Sequence, residues 1–264
     1  MTTTATTATV EWQPTTSGDA GIPFGRLLRT ELRKLTDTRA SRWLLIAITS
    51  VTPIVVAVML FAIKRQDLTF NKLVDYSSTP EKVLLPALGI LAMTSEWSQR
   101  TGLVTFTLVP NRRRVLLAKF MATLSLGLMV SAVMFAACAV GNLLGGLRHG
   151  NGSWSFGLSG FAEITLVQLV GLMEGMAFGM ALLITAAAVV SYYVLPTLWS
   201  ALFATSALKR AGSWVDLNKA AGNLYDQKIT GTGWLQLLVA ATLWICLPLT
   251  FGVWRVSRTE IKSG

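Results

Sequence analysis

Residues 43–63 read "WLLIAITSVTPIVVAVMLFAI" without one charged side chain, and Arg39 and Arg42 stand before the run with Lys64 and Arg65 after it. A hydrocarbon core about 30 Å thick needs roughly 20 apolar residues to cross it as a helix. Inside a bilayer only helices and closed barrels satisfy their own backbone hydrogen bonds, so this run predicts a membrane-spanning helix. A soluble core helix of that length, apolar all round and bracketed by basic pairs, is the poorer reading. The rest of the chain agrees: 14% of the residues are charged and 52% are hydrophobic, against roughly 25% charged in soluble domains.

Five further crossings are predicted, at about 80–97, 116–141, 162–186, 190–208 and 234–254, giving an all-α polytopic membrane protein of six spans. The apolar centre of 80–97, "VLLPALGILAMTS", is shorter than a full crossing. The fourth and fifth spans share one apolar stretch, and "VVSYYVLP" is the expected turn between them. There Ser191, Tyr192 and Tyr193 mark an interface, and Pro196 falls in the first turns of the next helix. Residues 1–22 are Thr-rich and read as a disordered tail without the pattern of a cleavable signal peptide, leaving 23–264 as one transmembrane domain. The first span is then the insertion signal.

An even span count puts both termini on one side. Segments on the N-terminal side hold 14 of the 23 basic and six of the 13 acidic residues, +8 against +2 elsewhere. By the positive-inside rule that side is cytoplasmic, which locates the chain in a cytoplasmic (inner) membrane with both ends inside. The surplus of +10 is explained by topology, and nucleic acid is not needed as a partner. The opposite side receives loops at about 64–79, 145–160 and 209–233. In the last of these, Trp214, Leu217, Ala221 and Leu224 predict a short helix at the outer interface.

Ahead of the first span, "FGRLLRTELRKL" (24–35) sets Phe24, Leu27, Leu28, Leu32 and Leu35 on one helical face and Arg26, Arg29 and Arg33 opposite, as an interfacial helix would. Cys138 and Cys246 lie in apolar runs without metal or redox spacing and read as small buried hydrophobes. His149 has no companion ligand, no catalytic Ser/His/acid set stands out, and no Gly-x-x-x-x-Gly-Lys-Ser/Thr loop is present. These point to a non-enzyme with no cofactor of its own.

Two features carry function. One is the polar insert "SEWSQRTGLVTFTLVPNRRRVLLAK" (95–119) between the second and third spans, too short to fold as a domain but suited to dock a short helix into a partner's groove. The other is "GLMEGMAFG" (171–179), where Gly171, Gly175 and Gly179 form a smooth packing face and Glu174 lies about 16 Å along the helix from Glu163. Glu174 is either a polar contact on a substrate path or a protonated or hydrogen-bonded glutamate locking two helices together.

The insert resembles the conserved segment of type-2 ATP-binding-cassette (ABC) exporter permeases, with Glu96, Arg100, Thr101, Leu108, Pro110, Arg112, Arg113, Arg114 and Lys119 at matching places and Thr101–Gly102 reversed against the usual Gly-Thr. "RTELRKLTDTRASRWLL" is similar to that family's amphipathic elbow, with Arg29, Glu31, Arg33, Lys34 and Arg39 in it. The resemblance implies a coupling helix between spans two and three, seated on a separate cytoplasmic ATPase present in two copies that binds ATP and Mg. It also implies a second permease chain, identical or related, and an exported cargo. The scarcity of charge in the spans favours a hydrophobic or amphiphilic one. Two other classes fit the composition: an ion-coupled secondary transporter with Glu174 as proton carrier, and a non-transporting membrane scaffold or sensor.

Overall fold

The computed structural model describes residues 22–99, 111–148, 150–203, 208–225, 229 and 231–258, and no strand occurs among them. Helix α1 (Phe24–Asp37) turns at extended Thr38 into α2 (Arg39–Ala62). A single 3-10 turn, Arg65–Asp67, leads to α3 (Phe70–Ser98). Then come α4 (Arg112–Leu147), α5 (Leu158–Leu182) and α6 (Thr185–Leu202), followed by the short α7 (Lys209–Val215) and α8 (Leu217–Tyr225). The last long helix is α9 (Gly231–Ala241), a π-helical turn at Thr242–Cys246, and α10 (Leu247–Arg258). Pro248 lies two residues beyond that wide turn; proline has no N–H to offer the helix, and a π turn relaxes the ladder where one bond is missing.

Five of these helices are long and apolar enough to cross a membrane: α2, α4, α5, α6 and the composite 231–258. Their outward faces carry Ile54, Phe61, Leu128, Leu143, Leu198, Leu238 and Phe251, all exposed. Apolar surface of that extent is stable only against lipid or another apolar surface, so the architecture is that of a membrane helical bundle. The second predicted span, 80–97, falls within α3, which has 29 residues but carries Asp75, Glu81, Lys82 and Glu96 along its length. It packs on α2, α4, α5 and α6 at once, and a helix shielded in this way keeps polar side chains that a lipid-facing one would not.

Three boundaries differ from expectation. The loop predicted at 64–79 is helical from Phe70 onward. Thr69 caps that end by accepting from Lys72 N, and Phe70 is buried in a cluster with Trp154, Phe156 and Phe161. The break between the fourth and fifth spans lies at Leu183 and Ile184, ahead of Ser191. Leu183 adopts a left-handed conformation (φ 60°) and Ile184 is extended. Leu183 is buried in the core, which offsets a backbone cost of about 1–2 kcal/mol. Tyr192, Tyr193 and Pro196 consequently sit inside α6, and the Tyr193 hydroxyl donates to the Val83 carbonyl of α3. The predicted helix over 214–224 is two helices broken at Asp216. Asp216 accepts from Lys219 N (3.2 Å) and Ser200 Oγ (2.6 Å), and Leu217 and Leu224 are buried against α5. Of the two cysteines, Cys138 is buried as expected and Cys246 is exposed.

Candidate functional site

At one end of the bundle, which also carries Arg112 to Arg114, Arg255 and Arg258, four charged side chains meet. The apolar stripe of α1 buries Leu27 and Leu35 as its periodicity requires, while Arg26, Arg29 and Arg33 stay exposed. On the buried face Glu31 is 1% exposed, where helical spacing alone would place a hydrophobe. Lys34 Nζ bonds Glu31 Oε1 at 2.7 Å and Glu96 Oε1, from the last turn of α3, at 3.0 Å. Lys119, 2% exposed near the start of α4, lies 3.0 Å from Glu31 Oε2 and 3.4 Å from Glu96 Oε1. The Glu31 Oε2 contact is ionic only, with no hydrogen-bond partner. Two carboxylates and two ammonium groups thus close a neutral square joining α1 to both helices that border residues 99–111.

Burial tends to lower the Lys34 pKa, but Glu96 and Glu31 outweigh it and hold the pKa above its ordinary 10.5. A lysine with a raised folded pKa contributes stability that is complete below the unfolded value and lost as pH rises through the folded one. The docking of α1 is therefore expected to stay constant from neutrality to about pH 10 and to weaken only above it. An environment-sensitive label on Leu28→Cys, with both native cysteines replaced, reads this. Release beginning near pH 8 would contradict the square.

The predicted site residues separate into distinct environments. Arg33 pairs with Asp37 at 3.6 Å in solvent. The Arg112 guanidinium donates to the Val256 carbonyl of α10 at 2.8 Å. Arg113 is exposed beside Leu249, Val253 and Trp254. The Arg114 backbone N–H is capped by Asn111 Oδ1 at 3.2 Å. Arg100, Thr101, Leu108 and Pro110, and with them the predicted coupling helix, lie outside the described residues.

Deeper in the bundle a second polar group was not foreseen from the sequence. Glu81 of α3 accepts from Thr52 Oγ1 of α2 (2.6 Å) and Gln168 Nε2 of α5 (2.8 Å), and Ser131 of α4 donates to Gln168 Oε1. All four are buried and join four helices. The available signal was Gln168, an amide inside an apolar run, which has to find partners wherever it is buried.

The three glycines of α5 face α3. A Cβ on Gly175 would stand 2.2 Å from the Pro86 carbonyl oxygen, one on Gly179 3.0 Å from the Ile90 carbonyl oxygen, and one on Gly171 3.5 Å from Pro86 Cγ. Gly89 of α3 reciprocates, 2.5 Å from the Leu172 carbonyl oxygen. Glu174 is 4% exposed, and its Oε1 has no hydrogen-bond partner. It lines a cavity of about 150 Å³ together with Gln168, Tyr192, Asn218 and Lys82.

These features define a helical bundle of membrane type with a buried charge square at its basic end and a polar cavity further in. Compared with models of known families, curated proteins and solved structures, the chain matches none.

Proposed function

We propose that the chain is the membrane subunit of an ATP-driven exporter similar to the type-2 ABC permeases, with α1 as the elbow and residues 96–114 as the element that engages a separate ATPase. The supporting observation is the charge square. Glu31 and Lys34 come from the elbow-like stretch, and Glu96 and Lys119 flank the coupling-like stretch. Four positions selected in two separate motifs meet within 3.4 Å. A rigid tie between an interfacial helix and both ends of a partner-binding segment is what transmitting a push from a bound ATPase requires. In this reading α3 is the sixth crossing, the basic end faces the cytoplasm, ATP and Mg are held by two copies of the ATPase, and two permease chains pair to complete the pathway. The cargo is hydrophobic or amphiphilic.

Arg113 provides the direct test because it is exposed and outside the square. The tagged full chain, purified from its native membrane in mild detergent, is expected to bring a stoichiometric ATPase with it. Arg113→Glu should leave insertion and helical content unchanged while lowering ATP hydrolysis coupled to transport about tenfold, the loss of one interfacial contact of about 1.4 kcal/mol. Unchanged coupling would remove 96–114 from this role.

The unpartnered Glu174 supports a second reading, an ion-coupled transporter that runs without ATP. That reading requires transport by the isolated chain and its loss in Glu174→Gln.

A further inference from the structure

Five acids are buried among the described residues: Glu31, Glu81, Glu96, Glu174 and Asp216. Glu31 and Glu96 share Lys34 and Lys119, Glu81 holds Thr52 and Gln168, and Asp216 holds Ser200 and Lys219. Among the described residues Glu174 has no such partner: its Oε1 is buried without a hydrogen bond, and the side chain lines a cavity. A buried carboxyl group without a partner is costly; it is relieved by taking up a proton or by a partner from outside the chain, and a cavity at the carboxyl leaves room for the second.

The walls restrict what that partner can be. Gln168 is already committed to Glu81 and Ser131 and Lys82 has an interaction of its own, so among the lining residues only Glu174 presents a buried side-chain oxygen without a described partner. Tyr192 is the one aromatic residue lining the cavity, and behind it its ring lies 6.2 Å from Phe178, which is itself 6.2 Å from Trp244. A carboxylate beside an aromatic side chain is chemistry that holds organic ammonium groups. A dehydrated divalent metal would need several acid, His or Cys ligands together, and no group of three occurs among the described residues. The 150 Å³ volume corresponds to roughly five waters, or one small headgroup.

We infer that the cavity between α5, α6 and α8 is a binding site for the ammonium headgroup of an organic cation, with Glu174 as its counter-charge and Tyr192 as its aromatic wall. This deepens the transport reading and rests on it only in treating the occupant as cargo. The apolar neighbours Val167, Val170 and Ala221 suit a cation that carries an apolar tail.

The test is equilibrium binding of radiolabelled tetramethylammonium to the purified full chain in lipid nanodiscs, with empty nanodiscs as blank and no nucleotide present. Saturable binding is expected, competed by butylammonium and not by the neutral shape analogue 2,2-dimethylpropanol. Glu174→Gln should weaken it at least tenfold. Should that variant fail to fold, Ala221→Leu, which fills the cavity without touching the charge, should have the same effect. Absence of saturable binding, equal competition by the neutral analogue, or unchanged affinity in every variant that folds would overturn the inference. Because the assay contains no ATPase, a failure of ATP coupling leaves its result standing, and absent binding alongside intact coupling refutes the cation site alone.

Discussion

Replacing Lys119 with methionine is expected to destabilise the chain by about 3–5 kcal/mol, the usual cost of removing one partner from a buried ion pair. Methionine preserves most of the stem's volume, so the loss is electrostatic: Glu31 and Glu96, both nearly inaccessible, would be left with the half-exposed Lys34 as their only cation. The appropriate control is Arg33→Met, since the Arg33–Asp37 pair is largely solvated and such pairs contribute at most about 1 kcal/mol. Unfolding midpoints of the purified variants in one detergent give the comparison. Adding Glu31→Gln to Lys119→Met restores neutrality and should return part of the loss, a coupling of about 0.5–3 kcal/mol between contacting residues. A Lys119 variant no more damaging than the Arg33 variant would mean the square does not hold α1 in place.

Much of the bundle is legible in the sequence because lipid imposes a simple rule on the faces it touches. Residues 43–63 carry no charge and 116–141 only Lys119 near its start, and α2 (Arg39–Ala62) and α4 (Arg112–Leu147) follow them closely. The rule fails where a helix is enclosed by others. In α3, Asp75, Glu81 and Lys82 disguise a helix that starts at Phe70, and the partners of Glu81, Thr52 and Gln168, lie on other helices far away in sequence. It fails again at Leu183, where the chain turns with neither glycine nor proline to announce it and burial of the leucine overrides its backbone preference. The same limit governs the site. The amphipathic pattern of 24–35 is plain, but Glu31 on its apolar side makes sense only with Lys119 beside it, and no local pattern carries a contact between residues 88 positions apart. Glu174 was legible as an anomaly. Its environment, a cavity completed by α6 and α8, depends on the turn that the sequence conceals.

Gly175→Ala is expected to cost as much as an overpacked core substitution, about 1–3 kcal/mol, even though alanine is the better helix former. The added Cβ would lie 2.2 Å from the Pro86 carbonyl oxygen and 2.9 Å from Pro86 C and Cα, all of them backbone atoms that cannot swing aside. Relief requires α3 and α5 to separate, and in a bilayer such close approach of small residues is the main attraction between helices, since lipid is as apolar as the side chains. The three sites should form a series. Gly179→Ala meets backbone at 3.0 Å and should fall between, whereas Gly171→Ala makes only ordinary contact at 3.5 Å and should be close to neutral. Gly146→Ala in α4 meets nothing within 4 Å and should stabilise by up to about 1 kcal/mol through helix propensity alone. Unfolding midpoints of the four variants in one detergent test the order. Equal effects at Gly171 and Gly175 would mean that α3 and α5 do not touch through this face. The walls of the Glu174 cavity, built on α5, would then have to be placed anew.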